Sequence, residues 1–243
     1  MKAVAIFKWA ANPGDAKIRE NGTTNWSVAR PEVGDDDSAT IHAAIDTANG
    51  DEVVGLTLAG GNNVAYAAAR GAVRTYAIEG LPVPVDSFTL AQALAKGVEA
   101  IGDVDVVTIG DSEWDPAVPP MVAALLGWPA IMMVDEVKAE DESLLVTRRH
   151  GAGTQDLRVD VPVVLGVAAR REETDVPGMR VVLQARKKPV TTLTVEELGL
   201  DVPAFTALDT HLPEKTASCV YDGSDPEKAV AQLIQALQAE GSL

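Results

Sequence analysis

A single cysteine, Cys219, stands in the 243 residues of this chain. One thiol excludes an internal disulfide and any cysteine-built metal or iron–sulfur centre. Aromatic side chains are scarce as well, at 4%. The hydrophobic 47% is mostly Ala, Val, Leu and Ile, enough for a sizeable core and small enough for helices to pack closely on a sheet. Basic residues are outnumbered, 20 Lys and Arg against 36 Asp and Glu, for a formal charge of −16. Such a surface repels phosphate backbones and anionic headgroups, which argues against nucleic acid and membrane surfaces as partners. No apolar run approaches the roughly 20 residues of a membrane-spanning helix. The apolar start, Ala3–Phe7, stops at Lys8 and is too short for a signal peptide's core, so a cytoplasmic location is expected. Neither a GxGxxG fingerprint nor a Walker lysine motif is present. His42, His150 and His211 each lack an evident carboxylate or serine partner and read as structural or solvated.

What remains is a clear alternation. Ala3–Phe7, Val53–Leu58, Thr75–Ile78, Val104–Ile109, Ile131–Val134 and Val163–Ala168 are short apolar runs of the kind buried on both faces of a parallel sheet. Between them, Ser38–Ala48, Val64–Gly71, Phe88–Ile101 and Pro120–Leu126 carry helical spacing. Residues 10–36 are polar and turn-rich, a long loop with room for a small hairpin. Ser143–Arg149 and Leu157–Val161 flank His150-Gly151-Ala152-Gly153 and predict an antiparallel hairpin at the sheet edge. The expected fold is therefore α/β: a Rossmann-like, doubly wound, mostly parallel sheet over residues 1–175. Pro177, the basic run Arg186-Lys187-Lys188 and Pro189 then read as an extended C-terminal arm, so that 176–243 form an arm ending in a helix at Pro226–Glu240.

Ligands of open parallel sheets sit beyond the carboxyl ends of the strands, where strand order reverses. Phe7–Asn12, Ala59–Asn63 and Gly110–Val118 should converge there. Gly60 and Gly61 either admit a ligand to the backbone or simply make a tight turn. The Gly110–Val118 loop leads into a helix N-terminus suited to phosphate, yet Asp111, Glu113 and Asp115 oppose one there. Asp35-Asp36-Asp37 reads as a solvated acidic helix start more readily than as a cation site.

From the hairpin onward the sequence resembles the electron transfer flavoprotein β-subunit family. The resemblance rests on Arg148, Gly153, Gln155, Leu157 and Pro162 around the hairpin, and on Pro177–Leu183, Ala185–Val190 and Leu193–Leu200 beyond it. Upstream, Ala67–Arg74 and Leu125-Leu126-Gly127-Trp128-Pro129 fit helix-end patterns, so the likeness runs in order over about residues 1–200. The loop after Gly110 is closer in length to the Fix-type branch.

The resemblance implies an electron-carrier subunit, not an enzyme by itself, that pairs with an FAD-carrying α subunit and receives electrons from a dehydrogenase. It places a nucleotide site, for AMP or a second FAD, at Ile6, Leu58 and the loop that holds Asp111, Ser112, Ala117 and Val118, beside Gly60, which topology puts at the same strand ends. It also places partner recognition at Met179, Val182 and Leu183. This chain departs from the family where Trp114, Pro116, Pro119 and Pro120 replace a glycine-rich loop, and where Gly34-Asp35-Asp36-Asp37 replaces Asn-Pro-Phe-Asp. The expectation is a nucleotide that is weakly held or missing. A stand-alone nucleotide-binding or sensing module on the same fold is the alternative.

Overall fold

A computed structural model describes the chain except residues 35, 59–61, 83–84, 112–114, 169–175, 204–210, 213, 215–217 and 243, and the side chains of Ala10, Pro13 and Asn62. Two compact units divide it: Met1–Lys17 with Thr24–Ala207, and Ile18–Thr23 with Leu208–Leu243.

The first unit opens with β1 (Ala3–Phe7), all five residues buried as an unbroken apolar run demands. The polar stretch that follows holds short strands, β2 (Trp9–Ala11), β3 (Lys17–Ile18), β4 (Thr24–Asn25) and β5 (Pro31–Val33), with β2 and β5 paired antiparallel. Helix α1 (Asp37–Ala48), strand β6 (Val53–Leu58), helix α2 (Ala65–Arg70) and strand β7 (Arg74–Glu79) come next. Helix α3 (Ser87–Ile101), strand β8 (Val106–Gly110) and helix α4 (Val118–Leu126) complete the wound part.

Strands β9 (Ala130–Glu140), β10 (Ser143–His150), β11 (Gly153–Asp160) and β12 (Val163–Val167) follow, then α5 (Met179–Ala185) and β13 (Val190–Thr194). One nine-stranded sheet results, ordered β11-β10-β9-β12-β8-β1-β6-β7-β13. Its strands run parallel except β10, which is antiparallel to both its neighbours, β9 and β11, and forms with β11 the hairpin at one edge.

Alternation along β1 builds the two faces. Ala3, Ala5 and Phe7 face a core shared with Ile41, Ala44 and Ala48 of α1 and Ala67 of α2. Val4 and Ile6 face the other core, with Leu90, Leu94 and Val98 of α3 and Val122 of α4. Helices on both faces and strand order reversing at β1 make this a doubly wound α/β sheet. No described helix is long and apolar enough to cross a membrane.

Two readings from sequence are corrected. Strand β9 does not stop at Val134 but runs to Glu140, because its second half alternates buried and exposed residues as a one-sided strand does. The segment after residue 176 does not simply leave the body. Helix α5 packs Ala185 against Ala65 and Ala68 of α2, and β13 pairs with β7 in the main sheet. Lys188, read as part of a basic arm, donates from Nζ to the carbonyls of Ala68 (2.9 Å) and Ala72 (2.7 Å). An ammonium there suits the negative end of α2. In the second unit, α6 (Pro226–Ala239) begins at Pro226 as expected, with the Asp225 carboxylate accepting from the Lys228 N–H at 3.2 Å.

Candidate functional site

The order reversal lies between β1 and β8, the neighbours on either side of the crossover. Three parts of the described chain meet beyond their carboxyl ends: Lys8 after β1, Gly34 with Asp36 and Asp37 at the start of α1, and Gly110–Asp111 with Asp115–Val118 after β8. Thr108 pins α1 to β8, its hydroxyl donating 2.9 Å to the Thr40 carbonyl in the buried layer.

Asp36 and Asp37 are buried, at 3% and 2% exposure, and not solvated as their sequence suggested. The reason is the backbone around them. Asp37 Oδ2 accepts from the N–H groups of Lys8 (2.9 Å) and Gly34 (2.8 Å), tying the end of β1 to the start of α1. Burial pushes the Asp37 carboxyl up to about 8, the two N–H bonds pull against that, and the charge of Asp36 adds to the rise. Asp36 lies over the backbone of Gly110: a side chain built on that glycine would overlap its carboxyl group. Glycine at 110 is thus a requirement of the acidic pair.

Lys8, Asp111 and Asp115 are also engaged. Lys8 Nζ pairs with Asp115 Oδ2 at 2.6 Å. Asp111 Oδ2 accepts from the Met133 N–H at 2.8 Å, where β9 turns through a left-handed residue (φ 61°). The Met132 side chain next to it lies over Gly166 of β12, in the space that a side chain there would take. Arg149 is held by Asp135, with a 2.8 Å contact, and its guanidinium is pushed up by that hydrogen bond.

The N-terminus of α4 has little to offer an anion. Its second and third residues, Pro119 and Pro120, have no N–H. Val118 N–H already bonds the Asp115 carbonyl (3.0 Å), and Met121 N–H bonds that of Ala117 (3.2 Å). From Val118 to Met121, then, the first-turn donors are absent or taken. The helix begins at Val118, not Pro120, because proline is well tolerated in a first turn.

A family model for the electron transfer flavoprotein domain matches residues 31–198, which span β5 through the end of the sheet-bearing segment. The chain belongs to the electron transfer flavoprotein β-subunit family. It is 28% identical over 170 residues to the mitochondrial electron transfer flavoprotein subunit beta of Arabidopsis thaliana, covering 66% of each chain. To the electron transfer flavoprotein subunit beta of Syntrophomonas wolfei it is 27% identical over 187 residues, 74% of this chain and 73% of the relative. To that of Mycobacterium bovis it is 30% identical over 112 residues, 45% and 42% respectively.

The residues that family likeness singled out fall into three groups. Ile6 and Val118 are buried in the core on the α3–α4 face, with Leu58 half-buried against it. Asp111 and Ala117 stand at the end of β8 and the start of α4. Gly60 and Ser112 lie outside the described residues. On α5, Met179 is 74% and Leu183 51% exposed, one turn apart, while Val182 is half-buried. Sequence reasoning missed Lys8 and the inward turn of Asp36 and Asp37. The signal available was Gly34 and Gly110, which bracket the acidic pair without side chains of their own.

Proposed function

We propose that this chain is the β subunit of a heterodimeric electron transfer flavoprotein. It pairs in the cytoplasm with an α-type subunit that carries the FAD, and a dehydrogenase supplies the electrons. The flavin performs the redox step when bound, and the protein sets its position and surroundings. The family match across the doubly wound sheet carries this reading.

The exposed side of α5 supports a docking role within it. Met179 and Leu183 project from a helix whose opposite side is anchored by Ala185 on α2 and by Lys188 at the end of α2. A flexible thioether on a rigidly held helix suits an adaptable apolar contact.

Co-expression with an α-type chain tests the proposal. A yellow complex should co-elute with stoichiometric flavin, and the chain purified alone should be colourless. A chain that holds stoichiometric flavin by itself would overturn the division of labour. Within the complex, Met179→Ala should slow electron transfer from the dehydrogenase about tenfold, since truncating an interface anchor costs about 2 kcal/mol. Flavin content and assembly should stay unchanged; losing either would make α5 a packing element.

A further inference from the structure

We propose that the crevice at the sheet's order reversal is closed by this chain's own acidic pair. Asp36 fills the space over Gly110, so the subunit folds and assembles without a bound nucleotide there. This rests on the reading of the chain as a β-type subunit, for which the family resemblance implies AMP or a second FAD.

Four independent features agree. The first is occupancy: the Asp36 carboxyl group lies where any side chain on Gly110 would have to go, and that residue is 3% exposed. The second is the charge balance. Asp36 and Asp111 gather at one crest with the Asp115–Lys8 pair, whose ammonium is already bound at 2.6 Å. A phosphate would enter a field of its own sign. The third is the donor supply: α4 opens with Pro119 and Pro120, and its flanking N–H groups at Val118 and Met121 are bonded to Asp115 and Ala117. Phosphate sites at helix N-termini depend on such N–H groups being free. The fourth is the stability of the plug itself. Asp37 is fixed by two backbone N–H bonds, and it shares the crevice with Asp36 because burial favours its protonated form.

The pair therefore does what a bound anion does in an open sheet: it accepts from backbone N–H groups at the strand ends and fills the crevice. The carboxyl groups are covalently part of the chain, so no binding step is needed.

The full-length chain, alone and as the yellow complex with its α-type partner, is precipitated with acid and the released adenine nucleotides are separated and quantified. AMP and FAD are then titrated calorimetrically into the nucleotide-free chain. The expected result is no stoichiometric AMP in either preparation, and a dissociation constant weaker than about 10 μM for both ligands. Stoichiometric AMP, or binding tighter than that, overturns the proposal. Asp36→Gly, which clears the space over Gly110, should tighten AMP at least about tenfold relative to the unaltered chain. Asp36→Asn removes the charge but leaves the space filled, and should gain less. Circular dichroism and melting check that each variant folds. If Asp36→Gly folds and leaves AMP affinity unchanged, Asp36 is not the plug. If it does not fold, the nucleotide content of the unaltered chain decides alone. Failure to form a yellow complex would count against the subunit assignment, whereas nucleotide content judges the plug.

Discussion

Helices α3 and α6 are alike in length and capping and opposites in use. Both run four turns, 15 and 14 residues, and both start behind an aspartate whose side chain accepts backbone N–H groups, Asp86 and Asp225. Both carry apolar residues at helical spacing. Helix α3 buries nine of its residues against the sheet, including Leu90, Leu94 and Val98, and Lys2 closes its far end by donating to the carbonyls of Ile101 and Gly102. Helix α6 buries none, and Val230, Leu233 and Ile234 are 55%, 45% and 43% exposed. An apolar stripe thus records what a helix can cover, not whether anything in the same chain covers it.

A cut into each stripe separates the two helices. Leu94→Ala should cost about 2–5 kcal/mol, read as a lower denaturation midpoint, because it opens a cavity under a fully covered helix.

The next effect belongs to the acidic pair. Asp37 carries a carboxyl raised to about 8 by burial, faced by Asp36, by Lys8 through both its N–H and its ammonium charge, and by the N–H of Gly34. Between about pH 4 and pH 8 the folded chain holds a proton there that the unfolded chain has lost. The contribution to stability is therefore complete at low pH and declines as pH rises through that window. Asp37→Asn keeps an acceptor for both N–H groups and cannot ionise. It should flatten the decline and raise stability at pH 8.5 on the order of 3 kcal/mol, measured by denaturation at several pH values. An unchanged slope would place the titration elsewhere.

The smallest effect belongs to α6. Leu233→Ser should shift the midpoint of the isolated chain by no more than about 0.5 kcal/mol, as for other uncovered positions. In the heterodimer the same change should weaken assembly, measured by the dissociation constant. A large loss in the isolated chain would show that α6 is covered without a partner. Because α5 and β13 belong with the sheet, a truncation that tests the tail in assembly starts after residue 207.

Much of this was readable from the residues in order. The continuous apolar runs of β1, β8 and β12 could only be strands covered on both faces, and the hairpin at His150–Gly153 was marked by its glycines. The converging strand ends followed from topology alone. Less legible was β13, where Val190-Thr191-Thr192-Leu193-Thr194 follows a basic run and a proline. Nothing local says that such a segment returns to the sheet edge beside β7. Strand β9 was truncated in the reading because its apolar run ends at Val134 and only the partner β10 explains the rest.

By itself, then, the sequence determined the class of fold, because periods of burial and the spacing of glycine and proline are local properties that every sheet of this kind must satisfy. It also determined the family, through the order of short patterns along most of the chain. Tertiary structure alone decided what the charged residues do. Whether Asp36 and Asp37 face water or fill a crevice depends on backbone N–H groups from Lys8 and Gly34 and on the bare backbone of Gly110, which lies more than 70 residues away in the chain. A charge is buried only where distant parts of the chain bring donors to it, and that arrangement leaves no local pattern to read.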